Sequence, residues 1–115
     1  MNDRAKLAVA AFVDRARAVY GARIVGLYLF GSQARGDQHA ESDIDVAVIL
    51  DGDGWNLVQE KMRLGDITYD IALETDMSID AWPVSQQQWI APISRRTSFF
   101  LIGARQSAVA LDVAL

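Results

Sequence analysis

The chain has 115 residues, 51% of them hydrophobic, with no cysteine and a net charge of −4. That is enough apolar material for one core, and it excludes disulfide frameworks and thiolate metal sites. No apolar run approaches the roughly 18 residues of a membrane span. The opening MNDRAKLAVAAFVDRAR has no signal-peptide layout, because acids and bases interrupt its short apolar segment. The expectation is a single cytoplasmic domain over residues 1–115. Charge is unevenly spread: Asp37 to Asp80 holds twelve of the fifteen acids and only two bases, Lys61 and Arg63. Such a surface is poor for direct nucleic-acid binding, which relies on Lys and Arg meeting phosphates. It suits divalent cations, which take hard oxygen ligands, although a solvated acidic face explains most imbalances of this kind.

In chain order, residues 3–20 read as a helix, with Val9, Phe12, Ala16 and Val19 at helical spacing and Gly21 as its stop. RIVGLYLF (23–30) is a short β-branched and aromatic run, a buried strand. A brief helical turn after Gly31 and a polar loop to Glu41 precede a second strand, DIDVAVIL (43–50), which the DGDG turn at 51–54 closes. That turn is not a calcium loop, since Trp55 and Met62 stand where oxygen ligands are needed. Residues 55–75 read as an amphipathic helix with Leu57, Leu64, Ile67 and Ile71 on one face and Val58, Met62, Tyr69 and Leu73 beside it. MSIDAWPV (77–84) alternates like a third strand, and Pro83 suits an edge. Ser85 and Gln88 form a capping-box pattern for a short helix through Trp89. A last helix is expected over about 97–111. The order α-β-(α)-β-α-β-α-α defines an α/β (α+β) fold, a small mixed sheet with flanking helices.

The chemistry concentrates in FGSQARGDQHAESDIDVAV (30–48). Alternation along a strand turns Asp43 and Asp45 to the same side, with Cα atoms roughly 6.5 Å apart. Two carboxylates that close repel unless a cation or a proton intervenes. Mg²⁺ is usually held by a few carboxylates together with substrate phosphates, and carboxylate-held metal pairs serve in-line transfer at phosphorus. Gly31 allows close approach of backbone to a phosphate, and a helix starting at Ser32 would aim free N–H groups at an anion. Arg35, one turn on, can reach a phosphate or a neighbouring acid. Separately these are weak signals: a D-x-D pair is often a solvated strand entrance, and a Gly-Ser pair is ordinarily a turn.

Together, a strand, G-S, ten residues and D-x-D opening a second strand resemble the nucleotidyltransferase superfamily related to DNA polymerase beta. GSQARGDQHAESDIDVAV is similar to its minimal nucleotidyltransferases, including the intervening A-R-G and S-D-I-D. The resemblance is strong over 24–50, looser to about 89, and fades beyond. It implies a polymerase beta-like core, two Mg²⁺ ions bound by Asp43 and Asp45, ATP as substrate, and Gly31, Ser32 and Arg35 at its phosphates. It also implies a third catalytic and metal-binding carboxylate on a strand beside the D-x-D. Asp80 is the candidate, with Asp66 and Asp70 read instead as solvent face and Asp76 as a helix end.

The minimal members of this family pair with HEPN-domain toxins, which implies an antitoxin that moves AMP onto a toxin tyrosine, as a homodimer or hetero-oligomer. Two alternatives stay open: a non-catalytic antitoxin acting by contact, and a stand-alone enzyme for a small alcohol. His39 reads as a surface residue. Arg95, Arg96 and Arg105 read as a solvated face or a partner surface. Tyr28 and Tyr69 read as core, and Trp55, Trp82 and Trp89 as core or interface, with base stacking as the sharper role for one of them.

Overall fold

The computed structural model describes residues 1–31, 43–90 and 108–111. Helix α1 spans Asp3–Tyr20. The Asn2 side chain caps it by accepting from the Ala5 N–H at 2.7 Å, and Gly21 ends it at φ 57°, a conformation open to glycine. A single 3-10 turn, Gly21–Arg23, leads into β1 (Ile24–Phe30). Strand β2 is Ile44–Leu50. Helix α2 is Leu57–Thr75, capped by Asn56, which accepts from the Gln59 N–H at 2.9 Å. Asp76 closes it in the left-handed region at φ 57°, the helix end expected of that residue. Strand β3 is Ile79–Ser85 and α3 is the short helix Gln86–Ile90, whose Gln88 N–H donates to Ser85 Oγ at 3.2 Å.

The order departs from expectation at the C-terminal end. In place of a helix reaching Leu111, Val109–Ala110 forms a fourth strand, β4, antiparallel to β1. Residues 97–107 of the expected helix lie outside the described residues. The sheet order is β3-β2-β1-β4. Strands β1 and β2 run antiparallel, while β2 and β3 run parallel with α2 as their crossover. Pro83 lies on β3, which forms an edge, the position that a residue without an N–H tolerates.

Alternation divides the sheet into two faces. Ile44, Val46, Val48 and Leu50 of β2, with Ile79 and Ala81 of β3, pack under α1 and α2 against Phe12, Leu64, Ile67 and Ile71. The opposite face carries a smaller cluster of Phe30, Ala47, Ile49, Val84 and Trp89, with Tyr28 stacked on Trp89 at 5.0 Å between ring centroids. Three readings of the helices change. Leu57 and Tyr69 are exposed rather than core, and so is Val19. On α2 only Leu64, Ile67 and Ile71, with Glu60, face inward, so the inward stripe is narrower than the apolar content of the helix.

Glu60 pins the start of α2. It is only 3% exposed, yet it accepts from Tyr20 Oη at 2.9 Å, Arg23 at 3.0 Å and Arg63 at 3.2 Å. Burial on its own would raise its pKa; the hydrogen bonds from Arg23 and Tyr20 and the charges of Arg23 and Arg63 outweigh that and hold it below 4.5. Burial and the bond to Glu60 push the Tyr20 phenol up. The network ties α2 to the end of α1 and the 3-10 turn. Replacing Glu60 with Ala leaves the buried Tyr20 hydroxyl without its acceptor and frees the half-exposed Arg23 and Arg63, which should cost about 1–3 kcal/mol in chemical denaturation. Because the folded-state pKa is depressed, this stabilisation is complete above 4.5. It should fade as pH falls below that value, a loss absent from the Glu60→Ala variant.

Candidate active site

The end of β1 and the starts of β2 and β3 meet at one rim of the sheet. Phe30 is the register partner of Asp45, and Asp45 is the parallel register partner of Asp80. The three form a row across three strands on the face away from α1 and α2, with Asp45 and Asp80 on backbones about 4.8 Å apart. Asp43 stands one residue before β2, exposed, on the same side by alternation. Of the four acids considered for the third position, Asp80 alone lies on a strand; Asp66 and Asp70 are exposed on α2 and Asp76 ends it.

Gly31 closes the rim from the β1 side. Its φ is +74°, and a Cβ there would lie 2.5 Å from Asp45 Oδ2. Backbone conformation and carboxylate position therefore both require glycine. On the other side, Lys61 of α2 donates to Asp80 Oδ1 at 3.0 Å and to the Ala81 carbonyl at 2.6 Å. Its ammonium lies 3.9 Å from the centroid of the Trp82 ring. Sequence reading gave Lys61 no role, since a lysine on a polar helix flank carries no signal of which strand it reaches. Trp82 is 37% exposed on the same face as Asp80, whereas Trp89 is buried and Trp55 packs on the main core. Ser32, Arg35, His39, Arg95, Arg96 and Arg105 lie outside the described residues.

The donor set fits a divalent cation bound with a nucleotide in its chemistry: hard carboxylate oxygens at one rim, beside a glycine that admits close approach. A preassembled cage is another matter. Among the described residues no three carboxylate, imidazole or thiolate groups are gathered closely enough to hold a metal ion, and Asp80 is engaged by Lys61 instead. Among those residues, too, no helix is long and apolar enough to cross a membrane.

A family model described as polymerase beta nucleotidyltransferase matches residues 18–90, which include the three strands and the rim just described. The chain belongs to this family. Over 46 residues it is 46% identical to a candidate protein adenylyltransferase of Methanocaldococcus jannaschii. That match takes in 40% of this chain and 46% of the relative, so the chain spans about half the length of the curated relative it matches. Among solved structures it is similar to a candidate nucleotidyltransferase from Sulfolobus solfataricus, with a TM-score of 0.50 and 20% identity over 76% of this chain and 79% of that one. It is also similar to the cyclic dinucleotide synthase CdnE of Elizabethkingia meningoseptica, with a TM-score of 0.54 and 17% identity over 70% of this chain and 36% of that one. These likenesses establish a shared fold.

Gly31→Ala tests the rim. The positive φ should cost about 1–2 kcal/mol, read as a modest fall in Tm. Displacement of the Asp45 carboxylate should lower divalent-cation affinity by more than that backbone strain accounts for. Unchanged cation affinity would mean that the close approach has no bearing on the carboxylate.

Proposed function

We propose that this chain transfers AMP from ATP to a tyrosine hydroxyl of a HEPN-domain toxin, and so acts as its antitoxin in the cytoplasm. The observation that carries the reading is the register of Asp45 with Asp80 beside Asp43 at a rim closed by Gly31, in a chain of the nucleotidyltransferase family. Asp43 and Asp45 would hold Mg²⁺, two ions in all, with Asp80 completing the set. The bound cations supply charge neutralisation along the triphosphate and favour ionisation of the attacking hydroxyl.

The remaining steps belong to the chain. Gly31 and Ser32 receive the β- and γ-phosphates, Arg35 assists, and the rim aligns the α-phosphorus with the acceptor. The hydroxyl oxygen forms a bond to that phosphorus while the bond to the bridging oxygen of the β-phosphate breaks. Pyrophosphate leaves, and the hydroxyl proton passes to solvent, its loss favoured by the completed acidic site. No covalent enzyme intermediate is required.

Support for a protein partner comes from the outer side of α2. Val58, Met62, Tyr69 and Leu73 are all exposed, each by about two-thirds. Their spacing places them along one stripe opposite Leu64, Ile67 and Ile71. Four large apolar side chains in a line are unusual on a surface that meets only water. The contact-only antitoxin is the second reading, and the same exposed stripe favours it, because an apolar face can hold a partner without any chemistry at the rim.

Joint replacement of Asp43 and Asp45 by Ala should abolish transfer of label from α-labelled ATP to the partner, with the circular dichroism spectrum unchanged. Toxin neutralisation that persists without labelling would establish the contact-only reading. Labelling that persists in the double variant would remove these aspartates from the mechanism.

A further inference from the structure

Glu60 and Lys61 are neighbours in sequence with opposite destinations: one is locked in the core network, the other reaches round the sheet edge to the rim. We propose that Lys61 is a positioning residue for Asp80, holding its carboxylate in the orientation the site requires. The inference rests on the nucleotidyltransferase reading of the rim given above.

The Lys61 ammonium has three N–H donors. One goes to Asp80 Oδ1 at 3.0 Å and one to the Ala81 carbonyl at 2.6 Å, while the charge sits 3.9 Å from the centroid of the Trp82 ring. A long flexible side chain held at three points on one strand is fixed in place, and its backbone is fixed in turn by Glu60. The bond takes one oxygen of Asp80. Among the described residues no other hydrogen bond to that carboxylate is formed, which leaves Oδ2 for a cation. The positive charge also offsets the repulsion between Asp45 and Asp80, which their register sets side by side. The ion pair thus serves the rim instead of blocking it: it orients a carboxylate through one oxygen and leaves the other to bind. Groups that orient a metal ligand in this way typically change affinity 10–100-fold when removed.

A purely structural role is the competing account. Lys61 would then be a strap on the edge of β3, acting through Ala81 and Trp82, with Asp80 incidental. The two accounts differ in what Asp80 does to the effect of Lys61. The experiment uses the full chain, its Lys61→Met, Lys61→Arg and Asp80→Asn variants and the Lys61→Met/Asp80→Asn double variant. Free Mn²⁺ is followed by electron paramagnetic resonance in the presence of ATP, and Tm is measured without metal.

Lys61→Met should weaken Mn²⁺ binding 10–100-fold, Lys61→Arg should recover part of that loss, and Lys61→Met should add nothing in the Asp80→Asn background. If Lys61→Met lowers Tm equally in both backgrounds and leaves Mn²⁺ affinity unchanged, Lys61 is a strap and the inference fails. Tighter Mn²⁺ binding in Lys61→Met would also overturn it, by making Lys61 a competitor for Asp80. If Asp80→Asn alone binds Mn²⁺ like the parent chain, the assignment of Asp80 fails, a result separable from failure at Lys61.

Discussion

The parallel register of β2 and β3 is the constraint on which the rest depends. It pairs Asp45 with Asp80, and because side chains alternate with a period of two, a slip of one residue would turn Asp80 under α2 and bring Ile79 or Ala81 to the rim. Burial enforces the register. Ile79 and Ala81 are both almost fully buried on the helix-covered face, and a slip would expose them. The acids at the rim are therefore held in line by apolar residues pointing the other way.

Helix α2 makes that parallel pairing reachable and does three jobs around its circumference. Leu64, Ile67 and Ile71 face the sheet. Glu60, buried against Tyr20 and bonded to the half-exposed Arg23 and Arg63, fixes where the helix begins. A buried carboxylate with three donors stabilises little compared with an apolar residue of the same shape, but it is intolerant of displacement. Its effect is positional, and the position it secures is that of the next residue, Lys61. The outer stripe of Val58, Met62, Tyr69 and Leu73 contributes nothing to the core.

Much of this was legible in the sequence. α1, the three main strands and the existence and end of α2 follow from periodicity, the Gly21 stop and β-branched runs, while α2 starts at Leu57, two residues later than periodicity suggested. The pairing of Asp43 with Asp45 on one face follows from strand geometry alone. The position of Asp80 followed from its place in an alternating run after a helix of crossover length. What sequence could not give is which of two apolar stripes a helix buries: Tyr69 and Leu57 are as hydrophobic as residues that turn inward, and only the tertiary packing decides. Strand β4 was hidden for a related reason. Val109–Ala110 is too short to show alternation, and its pairing with Tyr28 and Leu29 is supplied by a segment some eighty residues away. Glu60 was unreadable too, because a buried glutamate is signalled only by its partners, and those lie on other elements.

The rim itself runs against local stability. Asp43, Asp45 and Asp80 share one side of the sheet, Gly31 is at positive φ, and Asp80 stands at the edge strand. Each feature costs the apo fold something, through like-charge repulsion, the conformational entropy a glycine loses on folding and an unpaired strand edge. Local choices that oppose the fold while the surrounding core over-determines them are expected at sites built to bind something. Lys61 relieves two of these costs at once. It meets the Asp80 carboxylate with a positive charge, and it gives the Ala81 carbonyl on the edge strand a donor. A divalent cation arriving with its nucleotide would relieve the repulsion more completely. On this view the rim without ligand is a held arrangement, with one lysine supplying part of the charge that the ligand later completes.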